Sequence, residues 1–89
     1  MKLAGRRSER MPRFHLNIFS DVEARDDEGI ERPDLDRVIK EAVVGVRDLV
    51  ASNIREGRAV YRSHRIEITD EAGNLMHTVY FGDVIDLRD

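Results

Sequence analysis

The sequence predicts an α+β domain with two layers, in which one long helix packs on a sheet of three or four mainly antiparallel strands. Three observations support this fold. An alternating stretch from residue 13 is typical of a strand, an apolar stripe over residues 35–54 recurs at helical spacing, and residues 64–81 contain two strand-like runs around a turn. A chain of 89 residues has room for one such domain.

The first predicted strand covers residues 13–20. Its strongly apolar face consists of Phe14, Leu16 and Ile18, and the opposite face includes Phe19, because neighbouring side chains of a strand point to opposite sides. A strand with one face of this kind lies in a sheet that is covered on that side. We therefore expect this face to contact the helix.

The next segment, residues 21–33, is acidic and contains Gly29 and Pro33, which favours a loop. A short returning strand around Gly29–Arg32 is the alternative, although no two-residue turn of the kind that closes a tight hairpin is present. With this extra strand the element order becomes β-β-α-β-β, and without it the order is β-α-β-β.

A long helix is the clearest predicted element. Asp34 follows Pro33 and is a typical N-cap, and Gly57 is typical of the position just after a helix. Between them, apolar residues recur at spacings of three and four, which predicts a single buried stripe. Gly45 lies within the helix, which indicates either a close backbone neighbour or an exposed position. We expect Leu49 to be buried against the sheet, as part of the stripe Leu35, Val38, Ile39, Ala42, Val46, Leu49, Val50 and Ile54, widened by Val43.

Residues 64–81 predict a β-hairpin whose turn is "TDEAGN", with a glycine in the left-handed position. Two registers are compatible with this pattern. A three-residue loop places Leu75, Val79 and Phe81 on the sheet face that the helix leaves uncovered. A loop one residue longer turns Leu75 and Val79 to the helix and leaves Met76 and Tyr80 outside.

Both registers leave large apolar side chains on the surface. A domain of this size buries only about 60% of the surface that its unfolded chain exposes, so a partner subunit would add stability. Clustered apolar side chains on a surface are typical of a contact with a partner. We therefore expect a homodimer formed through the sheet, with an interface that includes Phe19, Leu75, Val79, Tyr80 and Phe81.

Charge separates the start of the chain from the remainder. Residues 1–10 hold four basic residues and one acidic residue, and we expect them to form a disordered tail ahead of a domain over residues 11–89 that begins at Met11. Residues 11–89 hold 11 basic and 17 acidic residues, a net charge of −6. This balance disfavours nucleic acid and is compatible with a basic protein partner. The arginines around Tyr61 suggest an RNA-binding patch. Because residues 11–89 are acidic overall, we favour the alternative that these arginines are solvent-exposed residues that follow the helix.

The sequence contains no pattern that is typical of an active site. The chain has no cysteine, no serine lies in a nucleophile motif, and no glycine-rich phosphate loop is present. His15, His64 and His77 all fall in predicted strands, without the spacing of known metal-binding motifs. We therefore expect no catalytic residue, no cofactor and no metal site. The longest apolar run, residues 42–46, is too short to span a bilayer, and no secretory signal is evident, so we expect a cytoplasmic protein.

Four stretches together resemble a family of short uncharacterised bacterial proteins that open with M-P-R and an aromatic residue. They are "MPRFHL" from Met11, "DEGIERPDL" over residues 27–35, "REG" over residues 55–57 and "IEITDEAGNLMHTVYF" over residues 66–81. The resemblance covers nearly all of residues 11–82. It implies a domain of unknown function, so it implies no activity and no catalytic residue.

A second resemblance is to HicB-type antitoxins, through "RPDLDRVIKEAV" over residues 32–43 and the later "REG". The stretch before Pro33 departs from that family because it lacks the glycine-aromatic pattern, and no DNA-binding segment follows the hairpin.

Three hypotheses on function follow from the sequence. The first is a small non-enzymatic interaction domain that forms a homodimer. The second is an antitoxin-like or regulatory protein whose acidic surface binds a basic protein partner. The third, an enzyme or metal protein that uses the histidines, has the least support.

Overall fold

The computed structural model describes residues 11–89, and the predicted disordered tail lies outside the described residues. One helix, α1 (Leu35–Arg55), packs on one face of an open antiparallel sheet. The predicted α+β fold is confirmed, with the order β-β-α-β-β. The strands are β1 (Arg13–Phe19), β2 (Glu23–Ala24), β3 (Ile30–Glu31), β4 (Arg65–Asp70) and β5 (Leu75–Tyr80), followed by a 3-10 turn at Phe81–Asp83.

The two edges of the sheet differ in construction. The strand order is β2-β1-β4-β5, and β3 also pairs with β1. β2 pairs with the end of β1 and β3 with its start, so the two shortest strands share one edge while the six-residue β5 forms the other. The returning strand predicted around Gly29–Arg32 is present as β3, whereas β2 was not predicted.

The predicted caps of α1 are both confirmed. The Asp34 carboxylate accepts a hydrogen bond from the Arg37 amide at 2.9 Å, which satisfies one of the free amides of the first turn. At the other end Gly57 has a φ of +76°. The Gly57 amide donates to the Ile54 carbonyl at 3.0 Å, and the following amide donates to the Asn53 carbonyl at 2.8 Å. This pair of bonds is the Schellman motif that ends many helices.

The apolar stripe of α1 faces the sheet over most of its length. Four of its residues are buried, namely Val38, Ala42, Val46 and Val50. The predicted burial of Leu49 was wrong, because this side chain borders an open pocket near the end of β1 and is 37% exposed. Ile54, one turn later, is 65% exposed. At Gly45 no neighbouring atom of the described residues lies within 4 Å of the place that a Cβ would take, so no close backbone neighbour accounts for this glycine, which is half-buried.

The β4–β5 hairpin combines features of both predicted registers. Its turn has the three-residue loop, since the Asp70 amide donates to the Asn74 carbonyl at 3.0 Å across it. Beyond the turn, Thr69 lies opposite Leu75, but Ile68 lies opposite His77. Residue 76 is therefore an extra residue, a β-bulge that shifts the register by one position.

The bulge exchanges the two faces of the sheet to which the side chains in the second half of β5 point. Val79 lies opposite Ile66 and is 5% exposed, and Phe81 is 1% exposed beneath α1. The register that placed Val79 and Phe81 on the uncovered face is therefore wrong in this half of β5, and the alternative register, which turned Val79 to the helix, is correct there. Both belong to the core, which consists of Phe14, Val38, Ala42, Val46, Val50, Ile66, Ile68, Val79 and Phe81.

Candidate interaction surface

The free edge at β5 carries the exposed apolar side chains of the hairpin. Leu75 is 57% exposed, and Met76 and Tyr80 are each 43% exposed. The structure thus leaves two of the predicted interface residues, Leu75 and Tyr80, on the surface near this edge. Met76, the extra residue of the bulge, is exposed beside them.

Phe19 lies on the uncovered face, as predicted, but its ring is partly covered. It is aligned with Arg65 of β4, which is in turn aligned with Tyr80 of β5, so the three side chains form a row across the sheet. The Arg65 guanidinium lies 4.7 Å from the centre of the Phe19 ring, and the Arg25 guanidinium lies 5.8 Å from it. These are cation–π contacts, which occupy the ring within the domain.

The centre of the uncovered face is polar. Asn17, Glu67 and Thr78 form the next row across β1, β4 and β5. The Glu67 carboxylate accepts a hydrogen bond from Arg65 Nε at 2.8 Å. A broad apolar contact over this face is therefore not available, and the apolar surface is concentrated at the β5 edge.

The opposite edge is closed by Asp26, which lies between β2 and β3. One oxygen of its carboxylate accepts a hydrogen bond from the Leu16 amide at 3.1 Å, and the other accepts one from the Gly29 amide at 3.0 Å. The Asp26 amide donates to the side-chain oxygen of Asn17 at 2.9 Å, and the Asp26 carbonyl accepts from His15 Nδ1 at 2.7 Å. The outward backbone amide in the middle of β1 thus has a side-chain partner.

The environment of Asp26 also sets its ionisation. Burial alone would raise the pKa of its carboxyl group, but the hydrogen bonds from Gly29 and Leu16 and the nearby His15 outweigh burial and lower the pKa below its ordinary value. Sequence reasoning missed this role. The signal was an aspartate followed closely by a glycine, because aspartate side chains in turns accept hydrogen bonds from backbone amides that follow shortly after them.

A pocket of ≈ 200 Å³ lies near the end of α1. His64 lines it, is mostly buried, and packs edge-on against Phe81 with ring centres 5.7 Å apart. His64 Nε2 lies 3.6 Å from an Asp21 carboxylate oxygen, whereas the buried Nδ1 has no hydrogen-bond partner within residues 11–89. The nearby Ser20 hydroxyl donates to the Val22 carbonyl at 3.1 Å.

The three histidines do not come together. His15 lies at the β2–β3 edge and His64 lies beside the pocket, while His77 is exposed on β5. Over the part of the chain that the structure describes, no group of three or more histidine or carboxylate side chains is placed to hold a metal ion.

Two arginines of the basic run after α1 form ion pairs with neighbouring glutamates. Arg58 forms an ion pair with Glu56 at 2.8 Å, and Arg65 forms one with Glu67 at 2.8 Å. This arrangement is compatible with solvent-exposed arginines after the helix, the interpretation that the sequence favoured over an RNA-binding patch. None of the helices formed by residues 11–89 is both long and apolar enough to cross a membrane.

Comparisons with known proteins identify the family of the chain but no activity. No match to the chain was found among curated proteins, and none was found among solved structures. A family model described as a domain of unknown function, DUF6894, matches residues 13–82. Because this match includes all five strands and the helix, the chain belongs to that family of domains of unknown function.

Proposed function

We propose that this protein is a small non-enzymatic interaction domain that forms a homodimer through the free edge of β5. The observation that carries the proposal is the chemistry of this edge. Residues 72–82 contain no aspartate, glutamate, lysine or arginine, and Leu75, Met76 and Tyr80 expose 57%, 43% and 43% of their surface. Edge strands of monomers are usually protected by charged side chains or proline, and β5 has neither.

Charge favours a second copy of the chain at this place. Residues 11–89 carry a net charge of −6, so two copies repel one another over most approaches. At β5 they can approach without bringing like charges together. The backbone N–H and C=O groups that point away from β4 supply the hydrogen bonds, and the exposed apolar side chains supply the buried area.

The construction of the other edge favours a closed dimer over a filament. β2 and β3 are two residues long each, and the Asp26 carboxylate occupies the outward amide of Leu16 between them. Among residues 11–89, each chain therefore has one sheet edge that can accept a strand. A contact between two identical edges closes on itself, whereas a contact between two different edges would repeat without end.

Sedimentation equilibrium tests the proposal. We expect the unaltered protein to be a dimer at micromolar concentration, and Tyr80→Lys to shift it to monomer because a charge is placed at each side of the contact. The matched control is Val44→Lys, since Val44 is 56% exposed on α1 and lies away from β5. This variant should remain dimeric. A monomer at about 100 μM, a concentration at which even weak specific dimers form, would overturn the proposal.

The alternative of a basic protein partner has its own structural support. A shallow cleft on the uncovered face, close to the β4–β5 turn, is lined by four acidic residues and one arginine, namely Asp26, Asp27, Asp70, Glu71 and Arg25. A partner bound there would depend on salt concentration and would tolerate Tyr80→Lys. Asp27→Lys would weaken its binding. The two proposals therefore respond in opposite ways to the two charge substitutions.

A further inference from the structure

The hydrogen-bond pattern of the hairpin identifies the backbone groups of β5 that point to the free edge. The Phe81 amide donates to the His64 carbonyl of the neighbouring chain segment at 2.8 Å. Hydrogen-bonded and non-hydrogen-bonded positions alternate along an antiparallel ladder. The backbone groups of Val79 and His77 therefore point to β4, and those of Tyr80 and Thr78 point outward.

The far side of the sheet gives an independent check of this assignment. The Leu16 amide points away from β4, since it donates to the Asp26 carboxylate at the opposite edge. Leu16 lies opposite Ile68. The backbone groups of Ile68 must then point to β5, where Ile68 lies opposite His77. The two sides of the sheet give the same alternation.

The bulge at Met76 limits the regular part of the free edge to the second half of β5. Two outward positions, Thr78 and Tyr80, remain available to a neighbouring strand. In an antiparallel pair of two copies, a twofold axis at Val79 places Thr78 opposite Tyr80 of the partner subunit, and Tyr80 opposite Thr78 of the partner subunit. Both positions then form hydrogen-bonded pairs. An axis at Thr78 would pair that residue with itself and bring Tyr80 against the bulge.

From this geometry we infer that the dimer is a continuous antiparallel sheet whose twofold axis passes through Val79 of β5. This inference rests on the proposed function. The axis is perpendicular to the sheet, so the two α1 helices lie on the same face of the joined sheet. On the opposite face, Tyr80 of each chain packs beside Thr78 of the partner subunit. No charged side chain lies in the paired segment, residues 77–81.

Disulfide cross-linking tests the register, because the natural sequence has no cysteine. In the proposed register, residue 78 of one chain lies directly opposite residue 80 of the other, within the Cα separation that a disulfide spans. The double variant Thr78→Cys with Tyr80→Cys should therefore convert most of the protein to a covalent dimer under mild oxidation, measured on a non-reducing gel.

The single variants are the matched controls. In Thr78→Cys alone, the two cysteines are diagonal neighbours about 7–8 Å apart, beyond the usual reach of a disulfide. This variant and Val44→Cys should both remain uncrosslinked. Sedimentation equilibrium of each reduced variant and of the unaltered protein shows whether a dimer is present before oxidation.

The possible outcomes test the position of the twofold axis separately from the existence of the dimer. Efficient cross-linking of Thr78→Cys alone would move the axis to Thr78 and overturn the inferred register. A dimer in which the double variant does not cross-link would overturn pairing through β5 while leaving the dimer. A monomeric unaltered protein would overturn the proposed function itself.

Discussion

Gly29 lies so close to the backbone of Phe14 that a Cβ at position 29 would be 2.8 Å from the Phe14 carbonyl oxygen. Gly29 also has a φ of +73°, in the left-handed region that other residues rarely adopt. Two independent constraints therefore require glycine at this position. The contact fixes how the segment between β2 and β3 passes along β1, and it places the Gly29 amide beside the Asp26 carboxylate.

Gly29→Ala should destabilise the domain by about 1–3 kcal/mol more than Gly57→Ala does, because forced overpacking adds a cost of this size to the backbone strain. Gly57 is the matched control, since its φ is +76° but no atom of the described residues lies within 4 Å of the position that its Cβ would take. Strain alone should cost Gly57→Ala about 1–2 kcal/mol. Urea unfolding measures both variants. Equal losses would show that the segment moves away from Phe14 without cost.

Asp26→Asn should destabilise the domain near neutral pH, by about 1–3 kcal/mol, because an amide cannot accept hydrogen bonds from both Leu16 and Gly29 as the carboxylate does. The stabilisation depends on pH. The pKa of Asp26 in the folded protein is lowered from an ordinary value of 3.8, so the stabilisation is present above that value and is lost as the pH falls through the lower folded pKa.

Thermal unfolding between about pH 7 and pH 3 measures this dependence for Asp26. The difference between the unaltered protein and Asp26→Asn should be largest near neutral pH and should shrink below about pH 4. Asp27→Asn is the control, because Asp27 is exposed and its side chain makes no hydrogen bond to the described residues. A difference that is constant over the whole range would contradict the role of the ionised carboxylate.

The sequence predicted the helix, the first strand and the hairpin turn, because each depends on interactions between residues that are close in the chain. Asp34 and Gly57 define α1 because capping involves only the neighbouring turn, and the alternation from Phe14 to Ile18 defines β1 because one face of that strand is buried. The hairpin turn follows from Asp70, whose carboxylate accepts hydrogen bonds from the Ala72 and Asn74 amides at 2.9 Å each.

The parts that were missed depend on contacts between distant segments. The bulge at Met76 has no local signature, and it decides whether Val79 or Tyr80 faces the helix. Leu49 follows the helical period as well as Val46 does, but Val46 is fully buried whereas Leu49 borders a pocket and is 37% exposed. The candidate surface changed for the same reason, because Phe81 was assigned to it through a register that the bulge alters.

Gly45→Ala should stabilise the domain by about 0.5–1 kcal/mol, because alanine has the higher helix propensity and the position is open. Gly82→Ala is the contrasting variant, since its Cβ would lie 2.8 Å from the Cβ of Arg62. That substitution should lower stability. Chemical unfolding of the two variants compares them directly, and a loss of stability in Gly45→Ala would reveal a neighbour that packs against this side of α1.

Val46→Ala should cost about 2 kcal/mol, since Val46 is fully buried between α1 and the sheet. Leu49→Ala removes a larger side chain but should cost less than about 1 kcal/mol, because Leu49 is already 37% exposed beside the pocket. Unfolding in urea gives both values. The opposite ranking would mean that the pocket is closed around Leu49 in solution.

Deletion of Met76 should be tolerated and should strengthen self-association. Without this residue Ile68 still lies opposite His77 and Thr69 still lies opposite Leu75, so the ladder becomes regular while the core keeps its register. Little apolar burial is lost because Met76 is 43% exposed. The free edge then becomes one unbroken strand, and a longer run of outward backbone groups should tighten the dimer by about tenfold or more.

Sedimentation equilibrium and thermal unfolding of the Met76 deletion measure association and folding separately. Deletion of Val79 is the control for the loss of one residue from β5, because it removes a side chain that is only 5% exposed in the core and should unfold the domain. If the Met76 deletion folds but associates less tightly, then the bulge is itself part of the contact and does not limit it. If it unfolds, then the extra residue is required for the hairpin to close. In that case the assignment of which β5 backbone groups point to the free edge would be overturned.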